Sequence, residues 1–350
     1  MTTKPMYSSS LPEPAQSAAQ VMLRTGRAHD RAGRMEDAIA AYEQAIRLAE
    51  SGGRGDKPVL VEALRRLGVV RHRRNELDLA RTLCRRSFRE ANAIGDPALA
   101  GEALNALAGF DTEMGDLAAA RALYRTALPL ADATPSLRGR IEQNLGIVAS
   151  IQGDHDDAFQ HYHRALDAFQ QAGDESGAAI AYHNLGLIGT RRGELNEAER
   201  CFSASAARAA RGGEVYLEGL CELSRAEVAL RKQQYSTALR LAEGALEIFE
   251  RIGARLAQSS AYRVIGMVLR DSGRAALAED RLRTALAIAK ETGSLIDQAE
   301  AARELARLHQ GAGQKKEAAA LLDAAKVLFQ RLDAKLDLEE VGKRMAELAA

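Results

Sequence analysis

The sequence predicts an all-α protein, a solenoid of eight helix-turn-helix units followed by a C-terminal capping helix. Three observations carry this expectation. Small residues recur at intervals near 40, apolar residues within each interval recur at helical spacing, and a glycine stands where most units must reverse direction. Composition agrees: 68 of 350 residues are Ala, 15 are aromatic and none is Trp, which suits closely packed helices better than a large aromatic core.

Residues 1–15 carry Pro5, Pro12 and Pro14 among polar side chains and are expected to form a flexible tail. Residues 16–334 hold the repeats. Anchored on one small residue per unit (Gly26, Gly68, Ala108, Gly146, Gly186, Ala226, Gly266 and Ala306), the spacings are 42, 40, 38 and then 40 four times. Twelve residues past each anchor stands Ala in all eight units, from Ala38 to Ala318, a coincidence on the order of a few in a million at this composition. Nineteen past it stands Ala or Ser every time, as in Ala45, Ser87 and Ser205. Sixteen past it the residue is bulky in six units (Tyr42, Tyr124, Tyr162, Phe202, Leu282 and Leu322). Seven past it, six units carry Gly, while units 2 and 6 carry Asn75 and Gln233. The Gly ends a first helix in the left-handed conformation, and the small residues of the second helix, seven apart on one face, let helices approach. Loops such as SGGRGD at Ser51, GDP at Gly95 and GDESG at Gly173 close the units. Residues 335–350 read as one more amphipathic helix (Leu338, Val341, Met345, Leu348) that covers the last repeat and completes the array.

The pattern L-G-x6-G-x4-A-x3-[YF]-x2-A resembles the tetratricopeptide repeat, and the match runs from about Ala18 to Ala334. Units of 40 are longer than the standard 34. They look like the expanded repeats of kinesin light chains and of Partner-of-inscuteable adaptors. HEAT or armadillo units are nearer in length, but no proline recurs in the first helices, since all seven Pro lie at or before Pro135. The resemblance implies a right-handed superhelix whose first helices line a concave, protein-binding groove. The ending from Leu328 also looks like the last unit of repeat arrays attached to large bacterial signalling proteins.

Several functions are disfavoured. With 48 basic and 48 acidic residues there is no net field toward nucleic acid or anionic membrane. No apolar stretch spans a bilayer and no secretory h-region is visible, so a cytoplasmic location is expected. Cys84, Cys201 and Cys221 form no C-x-x-C pair and read as small buried hydrophobes. No phosphate-binding, zinc-protease or nucleophile-elbow motif is present, so neither enzymatic activity nor a cofactor is expected. His155, His161 and His163 cluster with Asp154, Asp156 and Asp157, but His161 and His163 point to different sides of a helix and suit a solvated surface rather than one metal ion. The run Arg71 to Arg74 ends a first helix, where positive charge complements the dipole.

The resemblance places six positions of each first helix in the groove, and their spacing keeps them on one stripe. They hold thirteen Arg against eight acids, an excess of five, with no Lys. Guanidinium forks suit carboxylates, so the expected partner is an acidic or extended peptide segment. Candidate contacts are Arg65, Arg66, Arg73, Arg140, Arg191, Arg231, Arg263 and Arg270, with His183. Asn144 and Asn184 occupy one groove position in adjacent units, where related arrays use an amide to hold a peptide backbone. Leu187 and Leu223, with Ile147, Ile151, Ile180, Leu220 and Leu230, are expected to form an apolar floor. The expected function is a non-enzymatic adaptor or scaffold. Alternatives are a regulator switched by a small peptide or effector, and a self-assembling array.

Overall fold

The computed structural model describes residues 16–332 and 334–349; the expected N-terminal tail lies outside them. Among the described residues there are seventeen α-helices and no strand. Eight pairs follow in chain order: α1 (Ala18–Arg31) with α2 (Met35–Ser51), α3 (Lys57–Arg73) with α4 (Leu77–Ile94), α5 (Pro97–Glu113) with α6 (Leu117–Ala127), α7 (Pro135–Ile151) with α8 (His155–Ala172), α9 (Glu175–Arg191) with α10 (Leu195–Gly212), α11 (Val215–Arg231) with α12 (Tyr235–Arg251), α13 (Arg255–Asp271) with α14 (Ala275–Thr292), and α15 (Leu295–Gly311) with α16 (Lys315–Arg331). α17 (Lys335–Ala349) follows. The chain forms two compact units, residues 1–148 and 149–350, divided within α7.

The starts and stops of these helices are written locally. Ser17 and Gln20 form a capping box on α1, while Asp96, Asp116, Asp154 and Asp174 each accept a first-turn N–H of the helix they precede. Pro58, Pro97 and Pro135 sit in first turns, where a missing N–H costs nothing. All eight mid-unit reversals share one geometry. The residue seven past the anchor has positive φ, including Asn75 at 64° and Gln233 at 59° where glycine is replaced. The next N–H then donates to a carbonyl five residues back, as from Asp154 to Ala149 at 3.0 Å and from Gln234 to Ala229 at 2.9 Å. One second helix departs from the pattern: α6 stops at Ala127 and continues as a short 3-10 turn, Leu128–Ala131, because Pro129 cannot donate to the α-helical ladder.

The sixteen small residues at the two conserved offsets of the second helices are all 0% exposed. They are the contact points of the stack. Where Ser replaces Ala, its hydroxyl finds a carbonyl 26 residues back: Ser87 Oγ donates to Val61 at 2.7 Å and Ser205 Oγ to Ala179 at 2.7 Å. The anchor must be small because the bulky side chain sixteen residues on lies against it. A Cβ on Gly26 would stand 2.5 Å from the Tyr42 ring, and one on Gly266 would stand 2.5 Å from Leu282. In the first unit Tyr42, Leu60 and Leu64 centre one cluster and Tyr124, Leu137 and Ile141 another. In the second unit Phe249 and Leu282 centre the largest, and α17 buries Val341 against Ala299, Ala302 and Phe329. All three cysteines are buried and unpaired, and burial pushes the Cys84 thiol up to about 12.

Candidate functional site

In the first unit the charged stripe is an ion ladder between first helices. Glu62 accepts from Arg66 Nε at 2.6 Å, lies 3.9 Å from Arg65 and also pairs with Arg27 of α1. Arg65 reaches onward to Glu102 of α5 at 3.7 Å, and Glu102 also holds Arg140 of α7. Arg73 pairs back to Asp30 of α1. Burial alone would raise the Glu62 carboxyl, but Arg66 and Arg27 hold it below the usual range. Burial lowers the Arg65 guanidinium. Arg65, Arg66, Arg73 and Arg140 therefore already hold carboxylates of their own chain.

Beside this ladder, α3, α5, α6 and α7 enclose an open cleft of about 420 Å³, lined among others by Val69, Asn105, Gly109, Phe110, Tyr124 and Ile147. Asn144 faces it, with Nδ2 donating to Asn105 Oδ1 at 3.0 Å. That bond uses one amide donor and one amide acceptor. The Asn105 NH₂ and the Asn144 carbonyl oxygen keep their capacity. His72 stacks on Phe110, with centroids 4.1 Å apart and planes within 6°, and lies 3.3 Å from Glu113.

The second unit has a ladder of its own. Arg263, with its side chain 14% exposed, sits between Glu227 of α11 at 3.6 Å and Glu300 of α15 at 3.2 Å. Arg270 takes Asp271 at 2.8 Å and also pairs with buried Glu304, which Arg307 approaches to 3.3 Å. Burial raises both Glu300 and Glu304, but the several arginines around Glu304 reverse the sign there and hold it low, whereas Glu300 stays raised. Arg303 carries the ladder to Asp337 of α17 at 2.5 Å.

α9 and α11 break this pattern. Arg191 Nη1 donates to the Ser150 hydroxyl at 2.8 Å and Arg231 Nη1 to the Thr190 carbonyl at 2.9 Å, and neither meets a carboxylate among the described residues. Asn184 makes no side-chain hydrogen bond among them. It shares one face of α9 with Leu187, 39% exposed, and Arg191, three and seven residues on. His183 lies beside it, 3.4 Å from Ser224 Oγ and tilted against Phe202, and burial pushes its imidazole down to about 4.

Two sequence expectations change. Leu223 and Leu230, only 7% and 8% exposed, pack with Ala226 and Phe249 in the core rather than lining a floor, because they lie on the side of α11 that meets α12 and α13. Of the thirteen stripe arginines, nine (Arg27, Arg65, Arg66, Arg73, Arg140, Arg263, Arg270, Arg303 and Arg307) hold carboxylates, so the formal excess of five does not describe charge available to a ligand. Asn105 was missed because it stands three residues before its anchor rather than two; its 39-residue spacing from Asn144 was the available signal. Among the described residues no group of three or more His, Cys, Asp or Glu is placed to hold a metal ion, and His163 packs edge-on against Phe159.

Tetratricopeptide-repeat family models match residues 19–51, 137–211 and 220–291. The chain belongs to the tetratricopeptide-repeat family. Among curated proteins none matches the sequence. Among solved structures, this repeat protein is similar to a signal transduction ATPase with numerous domains, carrying a tetratricopeptide repeat sensor, from Pyrococcus horikoshii: TM-score 0.69 and 14% identity over 94% of this chain and 50% of that one. It thus spans half the length of that protein. It is also similar to a Rap protein complexed with competence and sporulation factor (TM-score 0.61, 11% identity, 95% of this chain and 97% of that one). A third is aspartyl phosphate phosphatase F from Bacillus subtilis (TM-score 0.57, 9% identity, 99% and 96%). At these identities the likeness is one of fold. No helix among the described residues is long and apolar enough to cross a membrane.

Proposed function

We propose that this repeat protein is a non-enzymatic adaptor that holds an extended acidic segment of a partner protein on the first-helix face of α9 and α11. One observation carries the reading: in a stripe where nine of thirteen arginines are neutralised internally, Arg191 and Arg231 hold, among the described residues, only a hydroxyl and a carbonyl, next to the unbonded amide of Asn184; the other two, Arg24 and Arg31, hold the Gln16 amide oxygen and the Arg27 carbonyl on α1, away from that amide. A guanidinium with spare donors gains by exchanging a neutral acceptor for a carboxylate, a stronger charge-assisted bond. An amide that both donates and accepts matches a peptide group, and exposed Leu187 between them adds apolar contact. Family membership supports a protein-interaction role; the acidic character of the partner rests on these side chains alone.

The test is affinity capture followed by titration of the captured partner against wild type, Arg191→Glu/Arg231→Glu and Arg65→Glu. Charge reversal at Arg191 and Arg231 is expected to weaken binding at least tenfold, about 1.4 kcal/mol, with an unchanged melting temperature. Arg65→Glu is expected to destabilise the fold, because it places a third carboxylate beside Glu62 and Glu102. A partner bound equally by wild type and the double variant would remove the proposal. A second reading, a regulator switched by a bound peptide, draws on the similarity in fold to the Rap protein solved with competence and sporulation factor. It requires a peptide-dependent change in small-angle scattering, which a rigid adaptor would not show.

A further inference from the structure

Gly109 is a glycine that the fold does not need. It lies inside α5, its backbone is not left-handed, and a Cβ there would meet nothing nearer than the Tyr124 hydroxyl at 3.9 Å. Gly26, Gly68, Gly186 and Gly266 differ, because a Cβ at each would stand within 2.6 Å of a packed side chain. A mid-helix glycine also weakens its helix relative to Ala. What its absent side chain does is open the cleft of the first unit. Gly109 stands one residue past its anchor; the same position holds Val69 in the preceding unit and Ile147 in the next. Those two side chains wall the cleft, and the gap between them is floored by Gly109, Phe110 and Tyr124.

Of the polar side chains that line the cleft, Thr112 donates to the Ala108 carbonyl at 2.9 Å and Glu113 faces His72 at 3.3 Å, which leaves the two amides to say what belongs there. The Asn144 to Asn105 hydrogen bond fixes both amides and leaves an NH₂ donor beside a carbonyl acceptor. This is the complement of the C=O and N–H that an extended strand presents. The amide pair thus suits a backbone, and the apolar notch next to it suits one side chain of that backbone. A volume of about 420 Å³ exceeds any single side chain, leaving room for the adjoining backbone.

We infer that the Gly109 notch is a specificity pocket for one aliphatic or aromatic residue of an extended peptide whose main chain is held by Asn105 and Asn144. It is formed by residues other than those of the α9 and α11 surface and does not rest on the acidic-segment reading.

The probe is a randomised twelve-residue peptide library displayed on phage and selected on the full chain. Enriched peptides are then synthesised and titrated by fluorescence anisotropy. The expected peptides share one Leu, Ile, Met, Phe or Tyr, and changing that residue to Gly weakens binding more than tenfold. Gly109→Leu, which fills the notch, is expected to weaken them by the same factor, and Gly109→Ala by less, with the helical circular dichroism of both retained. Asn144→Ala is expected to weaken the parent peptide and its Gly variant alike. Arg191→Glu/Arg231→Glu is expected to leave these affinities unchanged. Should Gly109→Leu lose its helical signal, Ile147→Ser, which removes one wall without adding bulk, replaces it with the same expected loss. No enrichment, equal binding to wild type and Gly109→Leu, or enriched peptides lost only on reversing Arg191 and Arg231 would each overturn the inference. The last outcome would leave the acidic-segment surface standing alone.

Discussion

Two glycines of the first unit separate packing from function by their surroundings. At Gly26 a methyl group would overlap the Tyr42 ring at 2.5 Å, and Tyr42 is fully buried, so neither side can yield without disturbing the core. Gly26→Ala is expected to cost about 1–3 kcal/mol in chemical denaturation. Gly109→Ala is expected to be neutral or to stabilise by up to about 1 kcal/mol, because helix propensity improves where the neighbour is at contact distance. Equal effects at the two positions would contradict this account of why each is glycine. The reversals give a third comparison. Gln233 holds φ at 59°, a left-handed conformation that costs a side chain roughly 1 kcal/mol, so Gln233→Gly is expected to raise the melting temperature. A fall would mean that the Gln233 side chain contributes more than its backbone costs.

At the scale of helices, the repeat pattern made nearly everything visible that depends on one residue meeting its counterpart in the next unit. The anchors, the reversals at Asn75 and Gln233, and the sixteen small contact residues all follow from a period near 40. What the pattern hid was pairing between different offsets. Glu62 meets Arg27 and Arg65 meets Glu102, joining residues at unlike positions of successive first helices, and a tally of charges along the stripe treats them as independent. Pro129 likewise interrupts α6 at a place with no equivalent in other units. His183 provides a test at this scale. Its imidazole is buried between α9, α10 and α11, with Ser224 and Phe202 as neighbours, and burial pushes it down to about 4 from 6.5. The unfolded chain therefore binds a proton more readily than the folded one. The stabilisation is complete above pH 6.5 and is lost as pH falls from there toward 4, on the order of 3 kcal/mol in all. Denaturation between pH 7 and 4 is expected to show this slope in wild type and a shallower one in His183→Gln. Parallel profiles would place the acid sensitivity elsewhere.

Across the molecule, equal numbers of acids and bases are distributed so that the first-helix arginines of each unit are mostly spent on their own chain. Buried pairs and open guanidinium groups respond differently to salt. The ladder arginines Arg65, Arg263, Arg270 and Arg303 have side chains no more than 14% exposed, so added ions reach them poorly, whereas Arg191 and Arg231 are exposed at the ends of their helices. Screening shortens the electrostatic range from about 14 Å near 0.05 M salt to about 4 Å near 0.5 M, which acts on exposed charges far more than on buried ones. Binding of an acidic partner to α9 and α11 is therefore expected to weaken at least fivefold across that range, about 1 kcal/mol, while the melting temperature of the free protein moves by less than about 3 °C. Arg191→Gln/Arg231→Gln is expected to remove most of the salt dependence along with the affinity it reports. A partner whose affinity is salt-independent would be held by apolar contacts and amides alone, and a melting temperature that falls steeply with salt would show that the ladders are more open to solvent than their burial indicates.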